Sequence, residues 1–221
     1  MLMNNIAIIY DLDETILPAS AVPDDTFDPL FEALRKANKG KIKDAELDKA
    51  FAEMKYLAID VLSEKYGFSK KMDQVAKEML TSMDYNFQLK TYEDYDFIKT
   101  IPGIKVLVTS GVIKLQQAKL DALEIEDDFD EVIIDDLYAA DRPGKKEIFS
   151  RIAKKYQLRP DQVWIVGDNP DAEINAGNEL GMITVLRINA EDKKVPGKPM
   201  FTISSFKELK KLVTASLKIN A

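Results

Sequence analysis

Two aspartates one residue apart, Asp11 and Asp13, close the apolar run Ile6-Ala7-Ile8-Ile9-Tyr10. A short apolar run of this kind reads as a buried strand. In extended backbone alternate side chains share a face, so the two carboxylates can converge where the strand gives way to a loop. Like charges held that close repel unless a cation binds them, and Mg2+, which takes hard oxygen ligands, meets that need. The pair reads either as a metal site or as an acidic strand end in solvent.

Three further segments carry polar residues of the right types. Ile104–Val108 runs into Thr109-Ser110-Gly111, where a helix is expected to open. A hydroxyl beside amides without intrahelical partners can bind an anion, and can equally serve as an ordinary cap. Arg142-Pro143-Gly144-Lys145-Lys146 precedes a helix beginning near Glu147. A lysine is electrostatically misplaced at a helix amino terminus unless it answers a nearby negative charge. Lastly, Val163-Trp164-Ile165-Val166 ends in Gly167-Asp168-Asn169-Pro170-Asp171, followed by Ala172-Glu173, so another apolar strand delivers acids.

The surrounding pattern indicates what positions these groups. Strand candidates at 104–109, 131–134, 163–166, 183–186 and 201–203 alternate with helix candidates at 112–123, 145–156, 172–180 and 204–213. Apolar strands separated by amphipathic helices predict an α/β fold, a doubly wound, Rossmann-like parallel sheet covered on both faces. Ligands of such sheets sit beyond the carboxyl ends of the strands, where all four polar segments fall. After Thr15 the period becomes helical, with candidates at 27–38, 44–66 and 70–83. They carry Phe27, Leu30, Phe31 and Leu34, then Leu47, Phe51, Met54, Ala58 and Leu62, at spacings of three and four. We therefore expect a core of residues 1–16 plus 91–221 with an all-helical domain, 17–90, inserted in it. Pro18 to Pro29 reads as the first hinge and 84–100 as the return path.

Composition narrows the chemistry. The 221 residues include no Cys and no His, which removes disulfides, thiolate metal sites, cysteine nucleophiles, Ser-His hydrolases, His-ligated zinc and histidine phosphorelays. A net charge of −7 argues against a broad nucleic-acid surface, which needs clustered Lys and Arg. No signal-like amino terminus and no bilayer-length apolar run are visible, so a cytoplasmic protein without a membrane partner is expected.

The four polar segments, in this order at one sheet edge, closely resemble the haloacid dehalogenase-like superfamily of phosphohydrolases, and the resemblance covers nearly the whole chain. Asp11-Leu12-Asp13-Glu14-Thr15 matches its first motif, D-x-D-x-T, and Thr109-Ser110-Gly111 its second. Lys145 is taken as the third-motif lysine, with Lys146 the rival. Gly167-Asp168 heads the fourth motif, whose outer acid, normally an Asp four or five residues on, is here either Asp171 or Glu173. The stretch Gln117–Ile125 through Phe129-Asp130 into Glu131–Asp136 resembles members with a helical cap, and 17–90 lies where that cap belongs.

The resemblance implies roles. Asp11 would be the nucleophile, forming an aspartyl-phosphate, and a Mg2+ ligand. Asp13 would act as general acid and then base, its backbone carbonyl ligating the metal. Thr109 and Lys145 would hold phosphoryl oxygens, helped by the N–H groups of Leu12, Asp13 and Ser110, and Asp168 would complete the metal site. An acid at position 13 favours a phosphatase or phosphomutase over a dehalogenase. Since no sugar-holding set is evident in the insertion, hydrolysis of a small phosphorylated metabolite is preferred to mutase chemistry. A two-component receiver domain, about half this length, and an idle binding scaffold are the readings of other classes. A dinucleotide-binding enzyme is disfavoured because no G-x-G-x-x-G follows a strand.

Overall fold

The computed structural model describes residues 6–188 and 197–219. Residues 1–5, 189–196 and 220–221, which the expected core includes, lie outside the described residues. Among the described residues six strands form one sheet: β1 (Ala7–Tyr10), β2 (Ile104–Gly111), β3 (Glu131–Asp136), β4 (Val163–Gly167), β5 (Ile183–Arg187) and β6 (Phe201–Ile203). Their order is β3-β2-β1-β4-β5-β6, and every pairing is parallel. This is the expected α/β architecture.

The period-two alternation of the strands builds two cores. Ile8, Tyr10, Leu107, Trp164 and Val166 face one way, packed with Phe206, Leu209 and Val213 of helix α9 (Phe206–Ile219). Ile9, Val106, Val108 and Ile165 face the other, against Ile148, Phe149 and Ile152 of α7 (Gly144–Lys155). Fully burying an aliphatic or aromatic side chain is worth roughly 1.5–3 kcal/mol, so a one-residue slip of any strand would forfeit several such terms. Continued past Tyr10, the same alternation directs Asp11 to the α7 side.

After β1 come four helices within the expected insertion, α1 (Asp28–Asn38), α2 (Asp44–Glu53), α3 (Ile59–Tyr66) and α4 (Lys70–Ser82). The helix expected over 44–66 is two, because a turn at 54–58 interrupts it. Leu57 N–H donates to the Glu53 carbonyl, and Ala58 is extended, with ψ of 151°, before α3 starts. Inside that turn the Lys55 ammonium is drawn to the Val22 carbonyl and the Asp24 carboxylate. The uninterrupted three- and four-residue spacing of apolar residues hid the break, since it runs on through the turn. The return path contains one short helix, α5 (Asp96–Lys99).

Two other expectations shift in the core. β2 extends to Gly111 rather than ending at Thr109, since Ser110 and Gly111 still pair with Asp135 and Asp136 of β3. Helix α6 (Ile113–Leu123) therefore starts later, and its Ile113 N–H donates to the Asp136 carboxylate at 3.3 Å, so the protein itself caps this amino terminus. The helix expected at 172–180 is a π-helical turn, Pro170–Ile174, followed by the short α8 (Asn175–Glu179). Among the described residues no helix is long and apolar enough to cross a membrane.

The two connections to the inserted helices run side by side, with Tyr92 N–H donating to the Ile16 carbonyl at 2.9 Å. Asp94 anchors the return path. Its carboxylate accepts from Arg187 at 2.9 and 3.3 Å and from the Phe206 N–H, at the start of α9, at 2.6 Å. The Arg187 guanidinium lies 4.3 and 4.2 Å from the ring centres of Tyr92 and Phe206, and its side chain is 7% exposed. Removing one partner of so buried a pair leaves an uncompensated charge. Asp94→Ala is expected to destabilise the protein by about 3 kcal/mol or more, a fall in thermal midpoint of roughly 6–12 °C for a chain this size. An unchanged melting curve would refute this anchoring role.

Candidate active site

The register of β1 with its neighbours assembles the first cluster. Tyr10 is level with Leu107 of β2 and Val166 of β4, so Asp11 emerges where β4 delivers Gly167 and Asp168. The Asp11 N–H donates to the Val166 carbonyl at 2.9 Å. From the α7 side, Lys145 Nζ reaches Asp11 Oδ1 at 2.5 Å and also contacts Glu173 Oε1. All three side chains are nearly buried, at 11, 7 and 3% exposed. The π-helical turn makes this possible by laying Glu173 across Gly167, where a Cβ would come within 2.6 Å of Glu173 Cγ. Glu173 Oε2 in turn accepts the Asn169 N–H at 3.1 Å. Lys146, by contrast, pairs with Glu179 on the surface, and Asp171 is exposed. Of the two lysines and two acids the sequence left open, the geometry brings Lys145 and Glu173 to Asp11.

A second cluster sits where β1 and β2 end. Leu12 turns the chain sharply, its carbonyl accepting the N–H groups of Thr15, Ile16 and Leu17 at 3.3, 2.7 and 2.9 Å, while Glu14 adopts a positive φ of 54°. The Asp13 carboxylate is thereby turned toward α6. Its Oδ1 accepts from Lys119 Nζ at 2.7 Å and its Oδ2 from Gln116 Nε2 at 2.9 Å. The same Gln116 nitrogen lies 2.5 Å from Thr109 Oγ1. Asp11, Thr109 and Lys145 are thus brought to one edge with Asp13 and Asp168, although the Asp13 carboxylate points to α6 rather than to the other two acids. Among the described residues no three acidic side chains converge closely enough to hold a metal by themselves.

A third group supports the second motif. Asp135, 2% exposed, accepts from Ser110 Oγ at 2.9 Å, Arg142 Nε at 2.9 Å and the Gly144 N–H at 3.2 Å. One buried carboxylate therefore ties the end of β2 to the loop that presents Lys145. Arg142 continues outward to Asp60 of α3 at 3.2 Å. Lys77 of α4 lies over the Tyr138 ring at 4.9 Å, and Lys114 of α6 pairs with Asp84 at 3.0 Å, so the inserted helices touch the core through this loop and the start of α6.

The sequence model of the haloacid dehalogenase-like hydrolase family matches residues 7–181. The chain belongs to that family. Among curated proteins it is 28% identical over 227 residues to the glyceraldehyde 3-phosphate phosphatase of Methanocaldococcus jannaschii, covering 93% of this chain and 96% of the relative. It is 27% identical over 196 residues to the protein of the same name from Methanopyrus kandleri, covering 81% and 82%. Among solved structures it resembles a predicted phosphoglycolate phosphatase from Haemophilus somnus, with a TM-score of 0.64, 21% identity and coverage of 96% and 99%. It also resembles the HAD-hydrolase YfnB of Bacillus subtilis, described as bound to magnesium, with a TM-score of 0.58, 18% identity and coverage of 95% and 98%.

The electrostatics of this hydrolase's site favour a cation. Burial, then the Asp11 and Glu173 charges, push Asp168 up to about 8, with Lys145 opposing. Burial also pushes Asp11 up to about 7, although Lys145 pulls the other way. Burial works against the Lys145 charge, but Asp11 and Glu173 outweigh it and hold the ammonium above its usual range. Three carboxylates thus face one ammonium, a surplus of negative charge on hard oxygen donors that suits Mg2+. Sequence reasoning missed Asp135, Gln116 and Lys119. The available signal was that Gln116 and Lys119 share the buried stripe of α6 with Leu115 and Leu120.

Because both folded-state values lie above the ordinary carboxylate range, the stability tied to the protonated forms is complete below about pH 4 and lost as pH rises through about 8. In chelator, Asp168→Asn is expected to melt above the wild type, by at least about 1 kcal/mol equivalent at pH 8. That advantage should shrink toward pH 5, and adding Mg2+ should raise the midpoint of the wild type only. Calorimetry showing no pH-dependent gap between the two proteins would contradict a repulsive acidic site.

Proposed function

We propose that this hydrolase is a Mg2+-dependent phosphatase acting on a small phosphorylated metabolite through an aspartyl-phosphate. The observation that carries the reading is the buried Lys145 held between Asp11 and Glu173 beside Asp168, at the carboxyl ends of β1 and β4. A carboxylate with an ammonium against it, inside a surplus of acids, suits nucleophilic attack on phosphorus with a cation present. Two curated relatives that it matches over most of their length are named phosphatases of a triose phosphate, so triose phosphates head the substrate class proposed.

In the first step an Asp11 oxygen bonds to phosphorus while the bond to the leaving oxygen breaks, and Asp13 gives that oxygen a proton. In the second, water attacks phosphorus, Asp13 accepts its proton, and the Asp11–phosphorus bond breaks to release phosphate. Thr109 and Lys145 hold the phosphoryl oxygens, joined by the N–H groups of Leu12, Asp13 and Ser110. Asp11, Asp168 and the Asp13 carbonyl are the groups proposed to hold Mg2+, which when bound supplies positive charge to the phosphoryl oxygens. Residues 17–90 are proposed to cover the site as a cap, and the Asp60–Arg142 contact is where cap position would reach the loop carrying Lys145.

The test is phosphate release from p-nitrophenyl phosphate and a panel of metabolites that includes glyceraldehyde 3-phosphate, with and without Mg2+. Asp11→Asn is expected to lose at least about a thousandfold in kcat while keeping its fold by circular dichroism. Turnover that survives in Asp11→Asn, or in chelator, would rule out this mechanism.

A further inference from the structure

We infer that Lys119 and Gln116 of α6 are positioning residues for Asp13, setting the carboxylate that moves protons through both of its oxygens; the inference rests on the phosphatase reading above. A lysine 7% exposed and a glutamine 2% exposed lie in the buried stripe of α6. Burying an ammonium is strongly unfavourable unless it is paired. Lys119 meets Asp13 Oδ1 at 2.7 Å, so its burial is balanced against this carboxylate. Asp13 itself has a side chain 39% exposed and could be solvated by water alone. Two buried donors on a half-open acid therefore serve the acid's orientation rather than its solvation.

Gln116 adds a geometric link. Its amide nitrogen donates both to Asp13 Oδ2 at 2.9 Å and to Thr109 Oγ1 at 2.5 Å. An amide nitrogen carries two hydrogens, so both bonds can form at once. With a Thr109 lone pair occupied in this way, the hydroxyl hydrogen is left to be donated elsewhere, as a phosphoryl oxygen requires. One side chain thus fixes the spacing between the proton-transfer group and a phosphate-binding hydroxyl. Room for it comes from Gly111, where a Cβ would stand 3.0 Å from Gln116 Cγ and 3.1 Å from its Cδ. Misplacement of a reacting group by about 1 Å can cost about 100-fold in rate.

A merely structural role and a positioning role separate by leaving group. The kcat/KM value covers steps through departure of the leaving group, and an alkoxide needs a proton from Asp13 where p-nitrophenolate does not. For Lys119→Met, kcat/KM on glyceraldehyde 3-phosphate is expected to fall about 100-fold, and on p-nitrophenyl phosphate at least about tenfold less. Lys119→Arg should recover part of the loss, and the Mg2+-dependent rise in thermal midpoint should match the wild type. Gln116→Met is expected to shift the ratio of the two kcat/KM values in the same direction, which keeps the test open if Lys119→Met does not fold. Equal losses on both esters, or none, in a wild type that hydrolyses both would overturn the positioning role alone. A wild type that hydrolyses neither ester would overturn the phosphatase reading, and this inference with it.

Discussion

A buried ammonium between two buried carboxylates is the constraint on which the site depends. Lys145 cannot sit inside the protein without Asp11 and Glu173, and those acids cannot sit together without Lys145. Satisfying all three at once fixes how three separate segments end: β1 at Asp11, the loop into α7 at Lys145, and the π-helical turn after β4 at Glu173. Gly167 is part of the same constraint, because any side chain there would displace Glu173. The sheet supplies the frame, and this triad sets the last residues that the frame carries.

Around the triad the charges do not balance. Asp168 adds a third carboxylate beside the Lys145 ammonium, and burial, then the charges of Asp11 and Glu173, raise its proton affinity. Acids crowded together in this way repel one another, a cost to stability that grows as they ionise. The second cluster is built differently. Asp13 is exposed enough to reach a ligand and is held from behind by Lys119 and Gln116, while Asp135 binds Ser110, Arg142 and Gly144 from beneath the sheet edge.

That Asp135 node also joins the inserted helices to the sheet edge where Asp11 and Lys145 meet. Arg142 bonds Asp135 through Nε and Asp60 of α3 through Nη1, so α3 directly contacts the loop that presents Lys145. The polar and cation–ring contacts of the insertion with Tyr138, Lys114 and Arg142 all fall on segments that follow β2 or β3. The edge that carries Asp13, Thr109 and Lys145 is thus the edge on which the insertion rests.

The sequence by itself determined the sheet, its parallel sense, the helical character of the segment after β1 and the identity of the family, because each is written in a local pattern. Apolar runs of period two, helices of period three to four, and short polar motifs at strand ends are properties of neighbouring residues. Residues whose roles come from contacts across the chain were less legible. Lys145 and Lys146, or Asp171 and Glu173, are indistinguishable by type and spacing; only the direction of α7 and the π-helical turn separate a buried partner of Asp11 from a surface ion pair. The break in the helix expected at 44–66 was hidden because the helical spacing of apolar residues runs on through the turn. Asp135, Gln116 and Lys119 acquire their roles from β2–β3 register and from the packing of α6, distances of up to 106 positions along the chain. Tertiary structure decided those, since a buried charge finds its partner through space and not through sequence.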